Sequence, residues 1–265
     1  MKAVVNKGVV EKLTRFGYVA HGLIYIIIGG LAAQFAIGEG GTLTDPPGAL
    51  KTIRHQPLGK QAVLFTAIGL AAYALWRLIQ AAADPDGQGT SAKGLAVRVG
   101  RVISAIGYAA LAILAVRLFT GSADSNDSGL NSAAQVLTEP VGAMLGTTIA
   151  LIIFGVAFED VRKACTARFG ERMKASEMTM MERIWSRTTG RWGFAARASV
   201  LCFGGTFLLR ASWYGNPGEV KGFSGILASI LKLPYGNWAL GCVGLGLAAY
   251  GCFMIMAGCY RQHPC

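Results

Sequence analysis

The stretch RFGYVAHGLIY, from Arg15 to Tyr25, leads a charged arm directly into the first long apolar run of the chain. The same skeleton of arginine, small residues and tyrosine returns 83 positions later, at Arg98, Gly100, Ala105 and Tyr108. Its first three landmarks return 176 positions after the first copy, at Arg191, Gly193 and Ala198. Offsets this constant predict a fold built from three copies of one unit.

Composition places the chain among integral membrane proteins. Of its 265 residues, 53% are apolar and only 15% are charged, which lies outside the range of ordinary soluble domains. Several apolar runs reach the roughly 20 residues needed to cross about 30 Å of hydrocarbon. We therefore expect an all-α integral membrane protein with six transmembrane helices, residues 1–265 forming a single membrane domain. The predicted spans lie near 16–37, 60–83, 99–119, 141–158, 194–213 and 238–260.

The second half of the unit repeats as well. Pro57 and Gly59 match Pro140 and Gly142 at the 83-residue offset, and Pro234 and Gly236 at 177. The sequence GLAAY at 69–73 returns at 246–250, whereas the middle copy decays to GVAF at 155–158, displaced by about three residues. Short re-entrant or interfacial helices are expected near 48–56 and 225–233. The fold predicted is thus three repeated helical hairpins, at 15–83, 98–163 and 191–260.

Four motifs carry a resemblance to a known family. They are the R-x-G-Y-x-A-x-G-x-x-Y opening, the D-x-x-G-A-L segment that begins at Asp45, the P-x-G start of the second span and the G-L-x-A-Y-x-L-W close. Together they resemble the family called domain of unknown function 1206. The resemblance implies a bacterial six-span membrane protein built from three two-helix repeats, and it implies no established activity.

Charge asymmetry predicts the orientation. The N-terminal arm and the loops after the second and fourth spans carry most of the Lys and Arg residues. The opposite loops hold Lys51, Arg54, Lys60, Lys221 and Lys232. Because basic residues favour the cytoplasmic side, we expect both termini in the cytoplasm. Together with the family resemblance, this predicts a multi-pass protein of the bacterial inner membrane. The net charge of +11 is then explained by this rule and by contact with anionic lipids, so nucleic acid is not expected as a partner.

Ionisable groups inside spans are costly, and each is a candidate site. His21, Ser104 and Arg197 occupy the same position in the three repeats, six residues after the repeat arginines. Around a pseudo-threefold axis they would form one polar layer, with Glu159 and Asp160 as partners. This layer could bind an anion or a lipid headgroup. Alternatively, it could be a structural ion pair or an arginine whose charge reaches back to the interface.

Arginines at the ends of spans have a simpler interpretation. They would anchor the helices at the lipid headgroups, as long basic side chains commonly do. The expected headgroup anchors are Arg15, Arg98 and Arg191 on the odd spans and Arg77 and Arg162 on the even spans.

Signatures of catalysis are missing from the sequence. It contains no HExxH, GxSxG or Walker A motif, and neither a metal site nor a cofactor is expected. We therefore expect a non-catalytic protein with a structural or partner-binding role at the cytoplasmic face, through the basic, Met-rich segment 171–190. The alternative is a protein that binds or transports a small solute, ion or lipid through the polar layer.

Overall fold

The computed structural model describes residues 7–84, 89, 91–122, 140–166, 178–215 and 219–260. The described residues form helices and no strand, which confirms the predicted all-α fold. In chain order the helices are α1 (Lys7–Ile37), α2 (Pro46–Arg54), α3 (Gly59–Ala83), α4 (Ala92–Thr120), α5 (Pro140–Thr166), α6 (Met180–Tyr214), α7 (Phe223–Leu231) and α8 (Gly236–Tyr260).

Six of these helices are long and apolar enough to cross a membrane, namely α1, α3, α4, α5, α6 and α8. The prediction of six transmembrane helices is thereby confirmed. An even number of crossings places the start of α1 and the end of α8 on one side of the membrane, which we call the terminal side. The two nine-residue helices, α2 and α7, follow the first and fifth spans on the opposite, far side.

The six spans form a ring that is open between α4 and α5, and the other spans that are consecutive in the chain pack against each other. Helix α3 packs on α4, α5 packs on α6, and α8 packs on α1. In each of these interfaces the second helix of one repeat meets the first helix of the next. The third interface joins the last repeat back to the first, as a pseudo-threefold arrangement requires.

Within the first and third repeats, the two long helices also pack against each other through glycines. A Cβ added to Gly17 of α1 would lie 2.8 Å from the Cβ of Tyr73 on α3, and one added to Gly69 would overlap the Cβ of Ala20. Such contacts bring helix backbones close together in lipid. The equivalent pairs in the third repeat are Gly193 with Tyr250 and Gly246 with Ala196.

The middle repeat differs, because its two long helices, α4 and α5, share no packed interface in the described residues. The 83-residue offset puts Ile103 where the first repeat has Ala20, and Ile152 where it has Gly69. Branched side chains therefore stand where the other repeats have small residues at the point of closest approach. Both are exposed, by 53% and 44%. We call this opening between α4 and α5 the seam.

The contact between α1 and α8 is the most extensive in the ring. It depends on two pairs of facing glycines: Gly22 opposes Gly251, and Gly29 opposes Gly244. At each of these positions an added Cβ would overlap or closely approach the backbone of the partner helix. The two backbones therefore touch, which maximises van der Waals contact where no hydrophobic driving force is available.

The short helices fill the far half of the ring. Asp45 caps α2 by accepting a hydrogen bond of 2.8 Å from the Gly48 backbone, and Pro46 supplies a favourable first residue. Leu50 of α2 and Leu227 of α7 are completely buried in the same apolar core as the long helices. These helices were expected to be re-entrant or interfacial, and each inserts one face into the bundle.

Candidate functional site

His21 lies at the centre of a cluster of tyrosines. Its side chain is buried, with 3% of its surface exposed, and its ring stacks parallel to Tyr73 at 5.2 Å between centroids. Tyr25, Tyr108 and Tyr250 present their edges or faces at 4.9, 5.0 and 6.1 Å. The Tyr108 hydroxyl is 3.4 Å from His21 Nε2, close enough for a hydrogen bond whose direction depends on the tautomer.

A buried ion pair lies next to this cluster. Arg197 Nη1 donates to Asp160 Oδ2 at 2.6 Å, and Lys163 Nζ lies 3.2 Å from the other oxygen of this completely buried carboxylate. The Arg197 guanidinium also lies 5.4 Å from the centre of the Tyr250 ring. Because Tyr250 contacts both Arg197 and His21, the predicted layer residues His21, Arg197 and Asp160 belong to one connected group.

Ser104 borders a cavity between α1 and α4. Its hydroxyl donates to the Gly100 carbonyl of its own helix at 2.9 Å, a common way to satisfy a serine inside a helix. The cavity has a volume of about 240 Å³ and is lined by His21, Ile24, Tyr25, Pro46, Ser104, Gly107, Tyr108 and Leu111. Two of the three equivalent polar positions therefore face the same space.

Glu159 lies outside the cluster. Its carboxylate pairs with Arg162 at 3.0 Å, one turn along the same helix, and both side chains are substantially exposed. Residues 159 and 160 are adjacent, so their side chains point about 100° apart around the helix. Only Asp160 can face the interior, and the sequence-based inclusion of Glu159 in the layer is corrected.

Arg77 was expected to be a headgroup anchor, yet it turns back into the bundle. Its Nη2 donates to the Tyr73 hydroxyl at 2.6 Å, and its guanidinium lies 4.9 Å from the centre of the Tyr73 ring. Its Nε is buried and makes no hydrogen bond within the described part of the chain. Arg77 is thus a second cation beside the histidine–tyrosine cluster.

Two of the repeat arginines bind the C-terminal ends of neighbouring helices. Arg98 donates to the carbonyls of Ala81 and Ala82 at 2.6 and 3.1 Å, and Arg191 donates to the Ala164 carbonyl at 3.1 Å. Each bond joins the first helix of one repeat to the second helix of the repeat before it. The arginine N–H groups supply donors to carbonyls that have no partner within the helix. The positive charge of the guanidinium is also favourable at a helix C-terminus. Headgroup contact by Arg15 and Arg162 stays a prediction.

Sequence reasoning missed the tyrosines as members of the site. Tyr73 and Tyr250 occupy the last position of the repeated GLAAY sequence, and their 177-residue spacing was visible. In the sequence this spacing served only as evidence for the repeat, because a recurring tyrosine does not by itself indicate a site. The sequence does not show that the rings of Tyr73 and Tyr250 both lie against the buried His21 side chain.

A ring of six apolar helices with polar side chains gathered inside defines a multi-pass membrane protein built from three repeats. Comparison with known families agrees with this class. The family model described as "Domain of Unknown Function (DUF1206)" matches three times, at residues 16–84, 99–167 and 192–261. The chain belongs to this family.

A curated relative from Bacillus subtilis (strain 168), "Uncharacterized protein YxxB", is 34% identical over 255 residues. The alignment covers 96% of this chain and 92% of the relative. No solved structure is significantly similar to the chain. The comparisons thus establish the family and leave its activity open.

Proposed function

We propose that the protein is a non-catalytic binding protein of the bacterial inner membrane that holds the anionic head of a lipid-soluble molecule in its central cavity. The observation that carries this proposal is the cavity between α1 and α4. Its lining brings together the polar residues His21, Ser104, Tyr25 and Tyr108 with apolar side chains. A few convergent polar groups within apolar walls are typical of small-molecule sites.

The charges near the cavity favour an anionic head. Arg77 and Arg197 both contact tyrosines that surround His21. Asp160 is completely buried and is shared between Arg197 and Lys163. A carboxylate or phosphate entering the cavity would add negative charge near two arginines in a low-dielectric interior, where electrostatic attraction is stronger than in water.

The location of these groups also supports a binding role. Imidazole, guanidinium and carboxylate groups within the hydrocarbon region are costly and usually mark a pathway or a binding site. A purely structural ion pair would account for Arg197 and Asp160. It would not account for a histidine, a serine and a tyrosine that face a common space.

Retention of a fatty acid tests the proposal. We expect purified protein in detergent to retain added oleate in native mass spectra, and Ser104→Leu, which fills the cavity, to weaken this binding about tenfold. The matched control is Ser199→Leu, because Ser199 is exposed on the lipid-facing side of α6. Equal oleate binding by wild type and Ser104→Leu, both folded, would remove the proposal.

A second candidate function rests on the first turns of α6. Met181, Ile184 and Trp185 are exposed by 64%, 52% and 61% on the terminal side, and basic residues flank them. This surface suits a membrane protein partner, or lipid headgroups alone. Residues 171–177 of the predicted docking segment lie outside the described residues. Co-purification of a partner that is lost in Trp185→Glu and kept in Trp213→Glu would support docking, and unchanged co-purification would exclude it.

A further inference from the structure

The size of the cavity raises the question of where a hydrocarbon tail would lie. A volume of about 240 Å³ equals the share of about eight water molecules in the liquid, at about 30 Å³ each. Such a space holds a headgroup and the first carbons of a chain. A longer tail must leave the ring, and it can do so only where the helices part.

The seam between α4 and α5 is such a place. In the first and third repeats a glycine and an alanine let the two helices meet, whereas Ile103 and Ile152 stand at these positions in the middle repeat. Gly100, equivalent to Gly17, has no heavy atom within 4 Å of the point where a Cβ would lie. Val156, equivalent to Tyr73, is 39% exposed. The substituted positions are therefore uncovered, and they carry branched aliphatic side chains.

The cavity and the seam share one face of α4. Ser104, Gly107 and Leu111 line the cavity at spacings of three and four residues, which lie on one side of a helix. Gly107 is exposed and has open space where a Cβ would point. Gly107 lies one turn after Ile103, on the face of α4 that corresponds to the face of α1 packed against α3 in the first repeat. A tail attached to a head in the cavity would pass Gly107 to reach the seam.

We propose that the seam is the lateral entrance to the cavity and that it holds the hydrocarbon tail of the bound anionic lipid. This inference rests on the proposed function for the head, and it adds the route and the tail site. The middle repeat is then a specialised copy. Its isoleucines keep the ring open on the side where the ligand enters from the membrane.

Restoring the residues of the other repeats tests the entrance. We expect the double change Ile103→Ala with Ile152→Gly to let α4 and α5 pack together and close the seam. The matched control is Ile106→Ala with Leu151→Gly, which makes comparable changes on the same helices at positions that are exposed by 64% and 62%. The equivalent positions of the first repeat, Leu23 and Ile68, are exposed as well.

The probe is a fatty acid with a photoreactive diazirine in the middle of its chain, added to the protein in nanodiscs. We expect mass spectrometry to locate the cross-links on the seam residues Gly100, Ile103, Gly107, Ile152 and Val156. The yield should fall about tenfold in the closing variant and not in the control. Ile103→Trp, which narrows the seam without moving helices, should give the same loss if the double variant does not fold.

Three results would overturn the entrance. The first is that cross-links form outside the seam while the wild-type protein binds oleate and Ser104→Leu does not. That result would leave the proposed function intact. The second is an unchanged yield in both the closing variant and Ile103→Trp. The third is a dimer whose copies cross-link through these same residues, because the seam would then be an interface between two chains. Failure of the wild-type protein to bind oleate would instead remove the proposed function.

Discussion

At the scale of single residues, Asp160 is the one buried acidic side chain in the described part of the bundle. It is completely buried and binds Arg197 at 2.6 Å and Lys163 at 3.2 Å. Its neighbour Glu159 makes a comparable pair with Arg162 on the exposed surface. Two adjacent acidic residues therefore offer a direct comparison of a buried and an exposed ion pair on one helix.

We expect Asp160→Asn to lower the free energy of unfolding by about 3 kcal/mol, because it leaves the Arg197 charge in the bundle without its counter-ion. The figure lies at the lower end for buried pairs, since the Arg197 side chain is 26% exposed. Glu159→Gln should change stability by less than about 1 kcal/mol. Thermal unfolding in detergent measures both. Equal losses in the two variants would contradict the assignment of Asp160 to the interior.

At the scale of elements, close contact between backbones decides which helices pack. Gly29 and Gly244 bring α1 and α8 together, and Gly17 brings α1 against α3. Gly30, the next residue along α1, has nothing within 4 Å of the point where its Cβ would lie. The glycines of the sequence are therefore of two kinds, and their positions on the helix separate them.

We expect Gly29→Ala to destabilise the fold by about 1–3 kcal/mol, because the added methyl group would overlap the backbone of α8 at Gly244 and Ala248. Gly30→Ala should be neutral or stabilising by up to about 1 kcal/mol, since alanine favours the helix and the space is open. The measurement is the shift in unfolding temperature of each purified variant. A Gly29→Ala protein as stable as Gly30→Ala would show that α1 and α8 are not in contact.

At the scale of the whole molecule, the ring contains helix contacts between repeats and helix contacts within a repeat. Three interfaces between repeats are alike, and two contacts within repeats are alike. The remaining contact within a repeat is missing between α4 and α5 in the described residues. The three repeats are therefore not equivalent, and the side of the ring between α4 and α5 differs from the other two.

The orientation of the ring in the membrane is a prediction from the distribution of charge, and reporter fusions measure it. We expect alkaline phosphatase fused after Tyr260 or Asp84 to be inactive, since both lie on the terminal side that carries most of the positive charge. The same enzyme fused after Gly40 or Gly215 should be exported and active. Activity at Tyr260 without activity at Gly40 would reverse the orientation.

Much of the fold could be predicted because the repeats are regular. The constant offsets of Arg15 and Gly17 indicated three copies of two helices, and apolar length indicated the spans. The open middle repeat was hidden, since matching GLAAY to the sequence around Gly155 shifted the register by three residues and concealed Ile152. Arg77 was misplaced for a different reason. A cation at a span end can extend toward water or fold back, and only the surrounding tyrosines decide between the two.

The contact between α1 and α8 has a consequence for how the protein is made. Helix α8 follows the other five described spans in the chain, so the face of α1 that carries Gly22 and Gly29 stays uncovered until α8 has been synthesised. Most partner helices are adjacent in the chain and can pair as they are inserted, whereas this pair cannot. A chain truncated before Gly236 would enter the membrane with α1 lacking its most extensive helix contact.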